Sequence, residues 1–222
     1  NQLKDRPLIN ILELHNLKKI IADSKEIIPK TVPTVLPFHT FTYAGLQAFH
    51  VREISRRNAE RVTFNTISSD WFPGFSEKVN SIHWPYPYEM PMWNEEKQEK
   101  INIGYLSSDF NNHPLAHLMQ SVFGFHDRNK FNVFCYALSQ SDMSPYRIKI
   151  EQEADVFIDV TQWSIDQIVT QIRNDKIHVL CNLNGYTKGG RNEIFAARPS
   201  PVQFQFMGFA GTLGAEIGRA SC

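Results

Sequence analysis

The chain has 222 residues, 42% of them hydrophobic, enough for one large domain or one domain with an extension. Lys plus Arg and Asp plus Glu both number 23, so net charge gives no pull toward nucleic acid or an acidic lipid surface. No apolar stretch approaches the ~18 residues of a membrane span, and the three cysteines, without CxxC spacing, read as buried free thiols rather than a disulfide framework.

Residues 8–28, "LINILELHNLKKIIADSKEII", carry apolar side chains at helical spacing and predict an amphipathic helix. Three prolines in "PKTVPTVLPFHTF" stop it and extend the chain, leaving His39 in a Pro-bounded turn. Helical period resumes over 44–62, "AGLQAFHVREISRRNAERV", and from Thr63 to Trp93 it dissolves into aromatics and prolines. Residues 1–95 therefore read as a helical extension ending in a Pro- and aromatic-rich linker.

The texture changes near residue 96. "INIGYLSS", "FNVFCYALS", "VFIDVT", "IHVLCNLNG" and "VQFQFMGF" have the length and composition of strands. Between them "HPLAHLMQSVFGFH", "SPYRIKIEQEA", "SIDQIVTQIRND" and "RNEIFAAR" predict helices. The first three of these helices open at capping residues, Asn112 or His113 before Pro114, Ser144 before Pro145, and Ser164. This alternation predicts an α/β fold over 96–215, a Rossmann-like parallel sheet covered on both faces. The final seven residues, 216–222, "EIGRASC", lack periodicity and read as one frame of a common sequencing-adapter oligonucleotide, so they are set aside.

In a parallel sheet, the loops leaving the carboxyl ends of the strands carry the ligand site. The first such loop, "SSDFNNHPLAH", offers Asp109 and His113 on either side of a helix start at Pro114. Two readings stand side by side: a capping cluster that satisfies orphan N–H groups, or a pair of side chains facing a ligand. His113 and His117 stand four apart, but Pro114 rather than Glu follows the first, and no third ligand falls at a recognised metal spacing. His117 reads as a helix-face residue packing on the sheet. A second loop, "NLNGYTKGGRNE", brings glycines and Lys188 to the same edge, and a third, "MGFAGTLGA", brings Met207 and Gly208. Neither GxxxxGK[ST] nor GxGxxG is present.

In their order, "IGYLSSDFNNHPLAHLMQSVFGFHD", "FNVFCYALS", "FIDVT" and "IHVLCNLNGYTKGGRNEIFAARPSPVQFQFMGFAGTLGA" closely resemble the catalytic region of the nucleocytoplasmic protein O-linked N-acetylglucosaminyltransferases. The likeness is dense over about residues 101–215 and looser upstream, through "VLPFHTFTY" and "PYPYEMP". It implies the first lobe of a GT-B glycosyltransferase, with tetratricopeptide repeats before the chain and a second lobe after it. The implied reaction moves N-acetylglucosamine from UDP-GlcNAc to Ser or Thr hydroxyls of intracellular proteins in nucleus and cytoplasm. It proceeds with inversion and takes no metal or other cofactor, no nucleic acid and no membrane.

By position the resemblance makes Asp109, His113 and His39 catalytic candidates and puts Pro114, Leu115, Lys188, Met207 and Gly208 in the donor and acceptor pocket. An imidazole beside a carboxylate suits removal of a hydroxyl proton, because imidazoles ordinarily titrate near working pH. The sequence departs from the family at Phe38, where animal members carry a first histidine, at Leu115, where a hydroxyl residue is usual, and at Ala210 and Leu213. These departures keep two alternatives open: a protein O-fucosyl-type transferase, or a catalytically silent scaffold of the same fold. The chain by itself is expected to be inactive without the second lobe.

Overall fold

The computed structural model describes residues 36–72, 91, 93–94 and 99–215. The predicted helix over 8–28, the larger part of the Pro- and aromatic-rich linker and residues 216–222 lie outside these residues. Two compact units result: one takes in the chain up to Arg61 together with Gly211–Ala215, the other runs Val62–Ala210.

In the first unit a short 3-10 helix, Pro37–Thr42, is followed by a turn in which Gly45 takes a φ of 86°. A helix cannot pass through that conformation, so helix α1 starts later than the periodicity predicts and covers Ala48–Ile67. Arg56 pairs with Glu53 and Glu60 along its surface. The helix also ends later than predicted, since residues 63–67 are helical. Ile67, Trp71 and Phe72 pack into the second unit's core, and that burial overrides the weak local pattern.

The second unit is built on five parallel strands: β1 Ile101–Ser107, β2 Phe131–Ala137, β3 Val156–Asp159, β4 Val179–Asn182 and β5 Val202–Gln205. Their order across the sheet is β3-β2-β1-β4-β5, so β1 is central. Its residues face partners on both sides, Tyr105 pairing with Cys135 and with Cys181. After β3 the chain crosses back to the far side of β1, which makes the gap between β1 and β4 the point where strand order reverses. That gap opens a crevice above the strand ends.

Alternate strand residues feed opposite faces, as the pleat requires. Leu106, Tyr136 and Leu180 join a core closed by helices α4, Ile165–Asn174, and α5, Asn192–Ala196. Tyr105, Cys135 and Cys181 join the other, closed by α2, Pro114–Met119, and α3, Pro145–Glu153. The two cysteines are free and buried. Burial pushes both thiols well above their ordinary range, which leaves them unreactive.

Three helices begin where the capping residues place them. The His113 ring accepts the Leu115 N–H, Ser144 Oγ accepts the Arg147 N–H, and the Ser164 N–H donates to Gln167 Oε1. The helix predicted over 113–126 is the exception, because α2 ends at Met119. Beyond it the chain continues in i→i+3 turns, Val122 to Met119 and Phe125 to Val122. This path buries Phe123 completely, with edge contacts to Tyr105 and Phe110 at ring separations of 5.2 and 5.7 Å. Gly124 then donates its N–H to Glu153. Aromatic burial outweighs a helical continuation that Val122 and Gly124 support poorly.

Candidate functional site

The site begins where β1 runs out. Ser107 Oγ accepts the Asp109 N–H at 3.0 Å and turns the chain out of the strand, while the fully buried Phe110 anchors the loop. The Phe110 carbonyl accepts from Arg147 Nη1 at 3.1 Å. Asn112 N–H reaches Asp142 Oδ2 at 2.6 Å, tying this loop to the one after β2. These bonds tie the loop down with Asp109 and His113 near one another.

The Asp109 carboxylate is 14% exposed. Ser108 Oγ donates to its Oδ1 at 3.1 Å and Asn184 Nδ2 to its Oδ2 at 2.9 Å. Burial raises the Asp109 pKa; a charge on His113 and the hydrogen bonds from Ser108 and Asn184 oppose the rise without cancelling it.

His113, with its side chain 47% exposed, stands with Nδ1 4.0 Å from Asp109 Oδ2, beyond hydrogen-bond range. That same Nδ1 accepts the Leu115 N–H at 3.2 Å. A backbone N–H can only donate, so in this arrangement a neutral ring carries its proton on Nε2. Taking a proton at Nε2 requires the other tautomer, which gives up the cap and turns an Nδ1–H toward Asp109. The carboxylate is placed to favour that exchange.

The loop after β4 meets the first loop directly. Asn184 Oδ1 accepts the Ser108 N–H at 2.8 Å, and Ser108 Oγ lies 3.1 Å from the Lys188 carbonyl. Gly189, with a φ of 83°, comes so close that a Cβ on it would stand 2.7 Å from Ser108 Oγ. Asn182 folds this loop from within, its Oδ1 accepting the N–H groups of Asn184 and Gly185. The loop after β5 closes on the second: Phe206 N–H donates to the Asn182 carbonyl, and Phe209 packs on Tyr186 at a ring separation of 5.6 Å. The loop after β4 thus touches both of the others at the carboxyl edge of the sheet.

Of the residues singled out from sequence, Asp109 and His113 stand 4.0 Å apart on the first loop, Lys188 lies on the second, and Met207 and Gly208 lie on the third. Pro114 is exposed at the first position of α2. Leu115 sends its side chain into the core, where it is 5% exposed, and only its N–H faces His113. Lys188 is exposed; Met207 is 47% exposed at a left-handed φ of 62°. His39 belongs to the first unit, exposed on the 3-10 helix with its carbonyl accepting from Thr42 Oγ1. His117 does not pack on the sheet. It lies on the outer side of α2, opposite Leu115, Ala116 and Met119, stacked on Tyr146 at 4.0 Å and bonded to Asn112 Oδ1.

Sequence reasoning passed over Ser108, Asn184 and Arg147. For Ser108 and Asn184 the available signal was a polar residue within two positions of the end of an apolar strand, which a packed sheet edge accommodates only when the side chain has partners; Arg147, inside α3, carried no such mark. Among the described residues no group of three His, Cys, Asp or Glu stands close enough to hold a metal ion, and no helix is long and apolar enough to cross a membrane.

Comparison with known proteins matches residues 13–218 to glycosyl transferase family 41. A probable UDP-N-acetylglucosamine–peptide N-acetylglucosaminyltransferase of Arabidopsis thaliana, SEC, is 44% identical over 202 residues, which is 89% of this chain and 20% of that protein. The UDP-N-acetylglucosamine–peptide N-acetylglucosaminyltransferase of Caenorhabditis elegans is 37% identical over 203 residues, 91% of this chain and 16% of that protein. Among solved structures, a mutant O-GlcNAc transferase of Thermobaculum terrenum superposes with a TM-score of 0.65 at 20% identity, covering 82% of this chain and 31% of that one. The parallel sheet and its helices therefore have the expected fold, that of a GT-B glycosyltransferase lobe, and the chain spans about a fifth of the length of its curated relatives.

Proposed function

The chain belongs to glycosyl transferase family 41, and on that premise we propose that it forms part of the catalytic region of an inverting protein O-GlcNAc transferase. A Ser or Thr hydroxyl of an intracellular protein attacks the anomeric carbon of UDP-GlcNAc, the bond to the diphosphate breaks, and UDP leaves. The hydroxyl proton passes to Asp109, directly or by way of His113. The reading takes no metal or other cofactor, no nucleic acid and no membrane, and places the protein in nucleus and cytoplasm.

One observation carries it. A mostly buried carboxylate with a raised pKa, bonded at both oxygens, sits beside an exposed imidazole at the strand-order reversal of a parallel sheet. Such a carboxylate accepts a proton more readily than one in water, and such a crevice is where this architecture holds a nucleotide or its sugar. Positive charge for the leaving diphosphate is sparse on these loops. Lys188 is exposed, whereas Arg191 donates to the Trp163 carbonyl. Stabilising that leaving group then falls to the second lobe, and the isolated chain neither binds UDP tightly nor turns over.

The experiment is a transfer assay on the full-length protein with labelled UDP-GlcNAc and a Ser/Thr-rich acceptor protein, with GDP-fucose as competing donor. Label incorporated from UDP-GlcNAc supports the reading. Label incorporated only from the fucosyl donor, or from neither, overturns it.

A further inference from the structure

Asn184 is 1% exposed and lies under the site, behind the residues that would meet a ligand. Its amide has one acceptor end and one donor end, and the surroundings call for both. Oδ1 takes the Ser108 N–H, which can only donate. Nδ2 faces Asp109 Oδ2 at 2.9 Å, Ser108 Oγ at 2.8 Å and Thr187 Oγ1 at 3.1 Å. The orientation of the amide is therefore fixed by its partners: exchanging its ends would set N–H against N–H and oxygen against carboxylate. Aspartate, the same shape, would fail at one end, and a hydrophobic side chain would fail at both.

Joining the two loops does not need all of this. The Oδ1 bond to Ser108 and the Thr187 Oγ1 bond to the Asn184 carbonyl at 3.0 Å already connect and shape them. Of the two N–H groups on Nδ2, one is taken up by Ser108 Oγ and Thr187 Oγ1, and the other, on Asp109, bears on the carboxylate. We propose that Asn184 is a positioning residue for the transfer reaction, holding Asp109 by one oxygen in a single orientation beside His113. The inference rests on the function proposed above. Without this donor, the one remaining hydrogen bond, from Ser108, leaves the carboxylate free to turn about it and weakens its ionised form.

The test compares Asn184→Asp, Asp109→Asn and the exchanged pair Asp109→Asn with Asn184→Asp, all in the full-length protein. Turnover is followed against pH, with KM for UDP-GlcNAc and the melting temperature measured alongside. Asn184→Asp sets two carboxylates face to face, and the pair retains a proton to higher pH. The acid limb of kcat is expected to move up by about one pH unit or more, with KM for the donor changed less than about threefold. The exchanged pair restores the amide–carboxylate bond with its charge on the wrong residue. It should recover the melting temperature lost in Asn184→Asp, while kcat stays at the level of Asp109→Asn.

An acid limb that does not move in a folded Asn184→Asp protein overturns the proposal, as does full turnover by the exchanged pair. If the parent protein transfers nothing, the reading of the site fails, and melting still decides the contact. The Asn184→Asp protein should lose stability relative to the parent as pH rises through the carboxylate range, and the exchanged pair should not. A difference independent of pH rejects the role of Asn184.

Discussion

Gly208 lies against the Leu183 carbonyl so closely that a Cβ on it would stand 1.6 Å from the oxygen. Two loops separated by a helix and a strand in the sequence are thereby locked at the mouth of the crevice, and no other residue type can occupy the position without parting them. Gly208→Ala is expected to destabilise the protein by about 2–4 kcal/mol, read from denaturant unfolding. An unchanged midpoint and slope would show that the two loops are not packed in this way.

His113 has two separable duties. As the cap of α2 it satisfies the Leu115 N–H, and losing a cap costs about 1 kcal/mol. As an imidazole 4.0 Å from Asp109 it is the group proposed to move the acceptor's proton. His113→Ala should lose both the cap and the transfer activity of the full-length protein, whereas His113→Asn should keep the cap's stability and lose about as much transfer, on the order of a hundredfold. If His113→Asn transfers normally, His113 is a cap and nothing more.

Asp109 should weaken the fold at neutral pH. Its folded pKa is raised, chiefly by burial, so ionising Asp109 costs more in the folded state than in the unfolded one. Between the ordinary carboxylate range and the raised folded value, the folded state binds more protons and stability falls as pH rises. Asp109→Asn has no such dependence. Its melting temperature should exceed the parent's at neutral pH by a margin that shrinks as the pH is lowered through that window. A margin that stays constant, or grows in acid, would mean that Asp109 is not held as described.

Arg147, 1% exposed, supports the first loop from below. It bonds the Phe110 and Ser139 carbonyls and Glu151, sits 3.5 Å from Asp159, and lies 4.4 Å from the centre of the Phe157 ring. Arg147→Met keeps the bulk and strands two carbonyls, so a loss of about 3 kcal/mol or more is expected. Arg147→Lys should recover less than half of it, because an ammonium cannot span the same fork. Full rescue by Lys would show that charge alone matters at this position.

The strands of the second unit and three of its four helices were legible because their signals are local. An apolar run of strand length, or Ser before Pro at a helix start, acts within a few residues. Helix α2 was misjudged at its far end because burial of Phe123 against Tyr105 and Phe110 is a long-range contact. The end of α1 was misjudged for the same reason, at Ile67 and Phe72. Asp109 and His113 could be singled out because their chemistry is visible in isolation. Asn184 could not, since an asparagine in a Gly-rich loop has no distinguishing mark until its neighbours are known.

The sequence by itself determined that a parallel α/β sheet would form, that its strand ends would carry Asp109, His113, Lys188 and Met207, and which family the chain resembles. Each of these follows from periodicity, turn chemistry or motif order within short spans. Only the tertiary structure decided that the loops after β1 and β4 share one hydrogen-bond network, through Ser108, Asp109 and Asn184. Only the fold could turn Leu115 inward and His117 outward, or set Gly208 against Leu183. The physical reason is distance along the chain. Seventy-five residues separate Asp109 from Asn184, and a bond across that span exists only after the strand order has placed β4 beside β1.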